Sequence, residues 1–178
     1  MESVWAKRFM IAAIIQGLIA LILTSGIILG QMYIKPEFSR VIAFGSAGMW
    51  FTVGYIMYIV VGVIGTAVSA LFYHYIEDVL RKSYKGMANA FAASHLILMS
   101  VGILASTFMM MYGGYEGAKA MLPVEVGGLG LGPEKAHEIL APLIIPIAIS
   151  ISILLVGILL GGIGFVYTYR KKELVRNI

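Results

Sequence analysis

Four runs without a single Asp, Glu, Lys or Arg, at 9–34, 41–73, 86–115 and 139–169, leave this chain few folds to choose from. A bilayer core takes about 20 apolar residues of helix. Each run is therefore long enough for one crossing and too short for two with a turn between them. Lipid offers no partner to a bare N–H or C=O, so a spanning segment must satisfy its backbone internally. The runs are apolar on every side rather than alternating, which excludes membrane β-strands. The expected fold class is all-α, a polytopic membrane protein with four transmembrane helices. They are placed at about 9–34, 41–76, 86–113 and 139–169, with an external loop at 114–138, in a single domain spanning 1–178.

Composition agrees. Hydrophobic residues make up 60% and charged residues 12%, against about 25% charged in soluble domains. Cysteine is absent, which removes disulfides, thiolate catalysis and iron–sulfur ligation. The net charge of +4 raises nucleic acid as a candidate partner. The placement of the basic residues argues against it. Lys7, Arg8, Arg81, Lys82, Lys85, Arg170, Lys171, Lys172 and Arg176 fall in the amino terminus, the second connection and the tail. Only Lys35, Arg40, Lys119 and Lys135 fall in the other two connections. Nine against four predicts that both termini are cytoplasmic. The amino-terminal apolar run exceeds the 7–15 residues of a signal-peptide core, so it reads as a retained first helix.

The 41–76 segment is longer than one crossing needs, which suggests an interfacial stretch before Trp50. The third connection is glycine-rich between Gly127 and Gly132, and Pro133 opens a helical pattern. Pro142 and Pro146 are expected to kink the fourth helix or to mark an interfacial half-turn. Leucine is no more apolar than a lipid tail, so membrane helices associate through close packing at small residues. Three such sets stand out: Gly26 with Gly30, Gly62 with Thr66 and Ala70, and Gly157 with Gly161.

Residues able to carry chemistry are few. His74 and His95 stand equally far from a turn near Tyr84–Lys85, and two imidazoles on facing helices are what a b-type haem requires. Their alternative is an interfacial His74 beside Glu77 and Asp78, with His95 as a polar helix contact. Glu134, His137 and Glu138 share a helix face and offer part of a metal site. Ligands from other helices would have to complete it, and a solvated helix start is the alternative. Met109, Met110 and Met111 point in different directions and read as packing residues. No nucleotide-binding or hydrolase motif is present.

The segment SRVIAFGSAGMWFTVGYIMYIVVGVIGTAVSALFYHYIE, within residues 9–77, resembles the first two helices of haem–copper oxidase subunit I. That family opens its second helix with His-Gly-x-x-Met. With Met49 in the methionine position, Gly45 stands where the family has its haem-ligating histidine, and the copper-site histidines of later helices are also missing. The resemblance implies a relative without the catalytic centre, acting as a small subunit of a respiratory complex. The isoleucine-rich, cysteine-free chain with its GGIGFVYTYRKK ending also resembles proteins of archaeal ammonia oxidisers. This similarity implies an accessory subunit of a copper membrane monooxygenase.

The expected function is a non-catalytic integral membrane subunit of a larger energy-transducing, oxidase-type complex in the cell membrane. Its partners would be other membrane subunits and the lipid bilayer, with no cofactor held by this chain alone. Two alternatives remain open at this point. One is a haem b electron-transfer protein using His74 and His95. The other is a facilitator for a small neutral solute, which needs Gln16, Ser46, Thr52, Ser69, Asn89, Ser94 and Ser100 on a common axis.

Overall fold

The computed structural model describes residues 3–171, so the expectations for Lys172 and Arg176 lie outside the described residues. The chain forms α1 (Val4–Tyr33), α2 (Phe38–Ala43), α3 (Ala47–Val79), α4 (Met87–Met121) and α5 (Pro133–Arg170). A single 3₁₀ turn, Val124–Val126, lies in the last connection. Among the described residues there is no strand. The helices α1, α3, α4 and α5 are long and apolar enough to cross a membrane.

Helix boundaries differ from those expected, each for a local reason. The 41–76 segment is not one helix. It breaks at Gly45 (φ +68°) and Ser46 (φ +43°), leaving α2 as a short separate turn. Gly48 then packs directly on the Val41 carbonyl, where any Cβ would collide. Helix α4 runs on to Met121 instead of stopping at 113. Its glycines are points of close approach: a Cβ on Gly114 would meet the Phe51 backbone, and one on Gly117 would stand 3.0 Å from Ala47 Cβ. Helix α5 starts six residues before the expected 139. Gly132 precedes it and Pro133 takes its first turn, where a missing N–H costs nothing. Pro142 and Pro146 do not interrupt it. The expected loop at 114–138 thus shortens to 122–132.

Packing is organised around α4. On one side Gly102 lies under Leu154, where a Cβ would stand 2.6 Å from the backbone N. A Cβ on Gly157 would stand 2.8 Å from the Met99 N, and one on Gly164 would stand 3.0 Å from Phe91 Cβ. On the other side the same construction puts Gly54 2.9 Å from the Thr107 carbonyl oxygen. Of the expected packing residues, Gly62 faces Tyr58 and Ile103, Thr66 and Ala70 are buried, and Gly30 lies under Phe38. Gly26 alone meets nothing within 4 Å. These faces are used within the chain, except at Gly26.

Helix α3 widens to a π-helix over Tyr58–Gly65 and again over Tyr75–Val79. Tyr58 is buried there and donates its hydroxyl to the Gln16 side-chain oxygen at 2.7 Å, tying α3 to the middle of α1.

The three basic segments share one end of the bundle. Trp5 bonds to Glu77, and the Lys82 ammonium donates to the Lys171 carbonyl at 2.9 Å. At the other end the Tyr115 hydroxyl donates to the Pro36 carbonyl at 3.0 Å, and Gly127 abuts Lys35. Glu37 there accepts from Lys35 and, at 2.6 Å, from Arg40 Nε. The Lys35 hydrogen bond, then the Glu37 backbone N–H and Arg40, pull its carboxyl from 4.5 down to about 2. A lowered folded value means that these bonds stabilise the connection fully above about pH 4.5, and that this is lost as pH falls toward 2. A carboxyl-carbon NMR titration of the purified protein is expected to give Glu37 a midpoint near 2, and Lys35→Ala to move it upward. A midpoint at the ordinary value would contradict the clamp.

Candidate functional site

The densest polar and aromatic grouping lies at the basic end, where α1 begins, α3 ends and α4 begins. Its base is Glu77. The first N–H groups of a helix have no intrahelical acceptor and carry partial positive charge. Those of Trp5 and Ala6 donate to the Glu77 carboxylate at 2.9 and 3.0 Å. Glu77 is only 8% exposed, so a neighbouring helix caps α1 with a buried anion. Alongside, the Trp5 indole N–H donates to Asn89 Oδ1 at 3.0 Å, and the Arg8 guanidinium lies 4.5 Å from the Trp5 ring centre.

This cap fixes the height of α1, and an aromatic stack follows. Phe9 stacks on Tyr73 with ring centres 4.5 Å apart. The Tyr73 ring is 5.0 Å from Tyr84, and its hydroxyl is 3.2 Å from His95 Nδ1. His95 is buried and fits because Gly161 on α5 has no side chain; a Cβ there would stand 2.6 Å from His95 Cε1. Tyr84 comes from the connection between α3 and α4. It is 7% exposed, and its buried hydroxyl has no hydrogen-bond partner among the described residues. Burial, reinforced by the Glu77 carboxylate, pushes Tyr84 well above the usual phenol value, so it stays protonated.

Tyr73, Tyr84, His95 and Gly161 line part of a cavity of about 430 Å³ between α3, α4 and α5. Gly65 and Ser69 of α3, Met99 of α4 and Gly162 of α5 are among its other lining residues. The Ser69 hydroxyl donates to the Gly65 carbonyl at 2.8 Å and is satisfied. The π-helical widening of α3 ends at Gly65, beside the cavity. Such widenings recur at functional sites.

The two histidines face different surroundings. His95 turns inward to Tyr73, whereas His74 is 55% exposed with its Nδ1 2.6 Å from Asp78 Oδ2. They make no common ligand pair for haem. Glu134, His137 and Glu138 are all exposed at the start of α5, and Glu138 accepts from Lys135 at 2.8 Å. Among the described residues no three His, Asp or Glu side chains cluster to hold a metal. Gln16 and Asn89 bond to Tyr58 and Trp5 across helices. Met111 is buried in the cluster that contains Phe51 and Leu140.

Sequence reasoning missed Glu77, Tyr73 and Tyr84 as a group. The signal available was spacing. Tyr73 and Glu77 lie four apart, on one face of a helix, at the only point where a carboxylate adjoins the second apolar run before its basic connection.

Three substitutions test this geometry. Glu77→Ala leaves two buried N–H groups without an acceptor and is expected to cost about 1.5–3 kcal/mol. It should also make the α1 amino terminus accessible to protease in detergent; unchanged protection would contradict the cap. Gly161→Leu drives a side chain into the imidazole and is expected to cost about 1–3 kcal/mol by overpacking. Gly162→Leu faces open space and should leave thermal unfolding unchanged. Equal effects at the two adjacent glycines would refute the packing described. Comparison with family models, curated proteins and solved structures finds no match for this chain.

Proposed function

We propose that this chain is a non-catalytic integral membrane subunit that docks against the helices of other subunits in a larger complex, with its basic end cytoplasmic. The observation that carries this reading is the state of α1. Only 6% of its most apolar window is buried within the chain, and Gly17 and Gly26 meet no atom within 4 Å. Membrane helices approach closely where small residues expose backbone. The glycines of α4 and, Gly162 apart, those of α5 are consumed by internal contacts, whereas these two are open. The resemblance of residues 9–77 to haem–copper oxidase subunit I makes an energy-transducing, oxidase-type assembly in the cell membrane the kind of complex proposed; a copper membrane monooxygenase belongs to the same class.

Purification from native membranes in mild detergent is expected to bring other membrane polypeptides with the chain. Gly26→Leu should reduce their recovery severalfold without changing the thermal unfolding of the isolated protein. A stable lone monomer from native membranes would overturn the proposal. An absorbance spectrum on the same sample distinguishes a structural subunit, colourless by itself, from a haem carrier.

A further inference from the structure

We infer that the exposed groove along the carboxy-terminal half of α5 is a binding site for one anionic phospholipid, with an acyl chain along 158–166 and the phosphate at Arg170 and Lys171. The site lies on α5, whereas the subunit role rests on α1, so either can fail without the other.

The shape fits an acyl chain. A groove of about 870 Å³ runs along α5, lined by the exposed Ile158, Leu159, Ile163 and Val166. Gly162 lies in its middle, where a Cβ would meet no atom within 4 Å. From Ile158 to Arg170 the helix rises about 18 Å at 1.5 Å per residue. One leaflet of hydrocarbon is about 15 Å deep, half of a core about 30 Å thick. The groove therefore spans one leaflet and ends where headgroups begin.

Apolar walls alone accept any chain; the charge at the interfacial end makes the choice. Arg170 and Lys171 line the groove there, and no acidic residue lines it. Neither cation pairs with a carboxylate among the described residues. The Lys171 ammonium lies 4.7 Å from the ring centre of Tyr167, which also lines the groove, so the ring holds the charge at the groove edge. The last carbonyls of a helix carry partial negative charge and would repel a phosphate. Lys82 offsets this, donating its ammonium to the Tyr169 carbonyl and, at 2.9 Å, to the Lys171 carbonyl. A guanidinium fork and an ammonium together suit the several oxygens of one phosphate. Charge at one end of a leaflet-long apolar groove matches an amphiphile. Free phosphate would leave the groove empty, and a zwitterionic headgroup would bring a cation of its own toward two others.

The purified protein in mild detergent is given phosphatidylglycerol and phosphatidylcholine of matched chains in equal amounts, and retained lipid is counted by native mass spectrometry. One phosphatidylglycerol is expected, retained about tenfold over phosphatidylcholine. Arg170→Gln with Lys171→Gln should abolish that preference, and Gly162→Leu, with both cations intact, should reduce retention severalfold. Lys85→Gln removes an exposed charge from the same end but outside the groove, and should change nothing. Thermal unfolding of every variant at the wild-type temperature certifies that each is folded. Equal retention of the two lipids, or no retention, would overturn the site. So would an equal loss in Lys85→Gln, which would mean diffuse surface charge, or displacement by equimolar inorganic phosphate, which would mean an anion site without the groove. A dimer that Gly162→Leu dissociates would assign the groove to a second copy of the chain instead.

Discussion

A buried carboxylate holding the first turn of a neighbouring helix is the interaction on which the basic half of this bundle depends. Glu77 accepts the Trp5 and Ala6 N–H groups, neutralising the donor-rich end of α1 with a charge that would otherwise be costly to bury. Each side solves the other's problem. The consequence is positional: α1 is fixed in height against α3, so Phe9 falls on Tyr73, Tyr73 meets His95, and His95 fills the notch at Gly161. Four helices are thereby linked through one continuous line of polar and aromatic contacts.

The opposite half is built differently. There Gly54, Gly114 and Gly117 bring α3 and α4 into backbone contact near the positive-φ break at Gly45 and Ser46. Because lipid gives no hydrophobic incentive for helices to associate, these contacts stabilise through many small dispersion terms, about 0.1–0.2 kcal/mol per atom pair. Loss of one glycine removes a whole patch of them. This explains why α4, which supplies glycines on two faces, lies at the centre and α1, whose glycines are mostly open, lies at the edge.

The membrane helices were legible because charge exclusion over long runs admits few alternatives. Their ends were less so. Glycines at 113, 114 and 117 look like a loop entrance by propensity, yet tertiary contact with Phe51 and Ala47 keeps them helical. Gly157 and Gly161 could be recognised as a packing face, but spacing does not reveal that Gly161 accommodates an imidazole. His74 and His95 illustrate the limit more sharply. Equal distance from a turn predicts similar depth but not rotation about the helix axis. The adjacent Tyr73 turns inward and leaves His74 beside Asp78.

Most hydroxyls in the spans are consumed locally. Thr24, Ser106, Thr107, Ser150 and Thr168 each donate to a carbonyl four residues earlier, at 2.6–2.8 Å. Thr52 and Ser69 follow the same pattern. A hydroxyl turned back on its own helix adds nothing to a polar path. Against that background the Tyr84 hydroxyl is an exception, as is Thr66 Oγ1; both are buried without a partner. Tyr84 is among the residues that line the cavity, and Thr66 is not. Neither hydroxyl has accessible surface, so each carries a desolvation cost that the packing around it must offset.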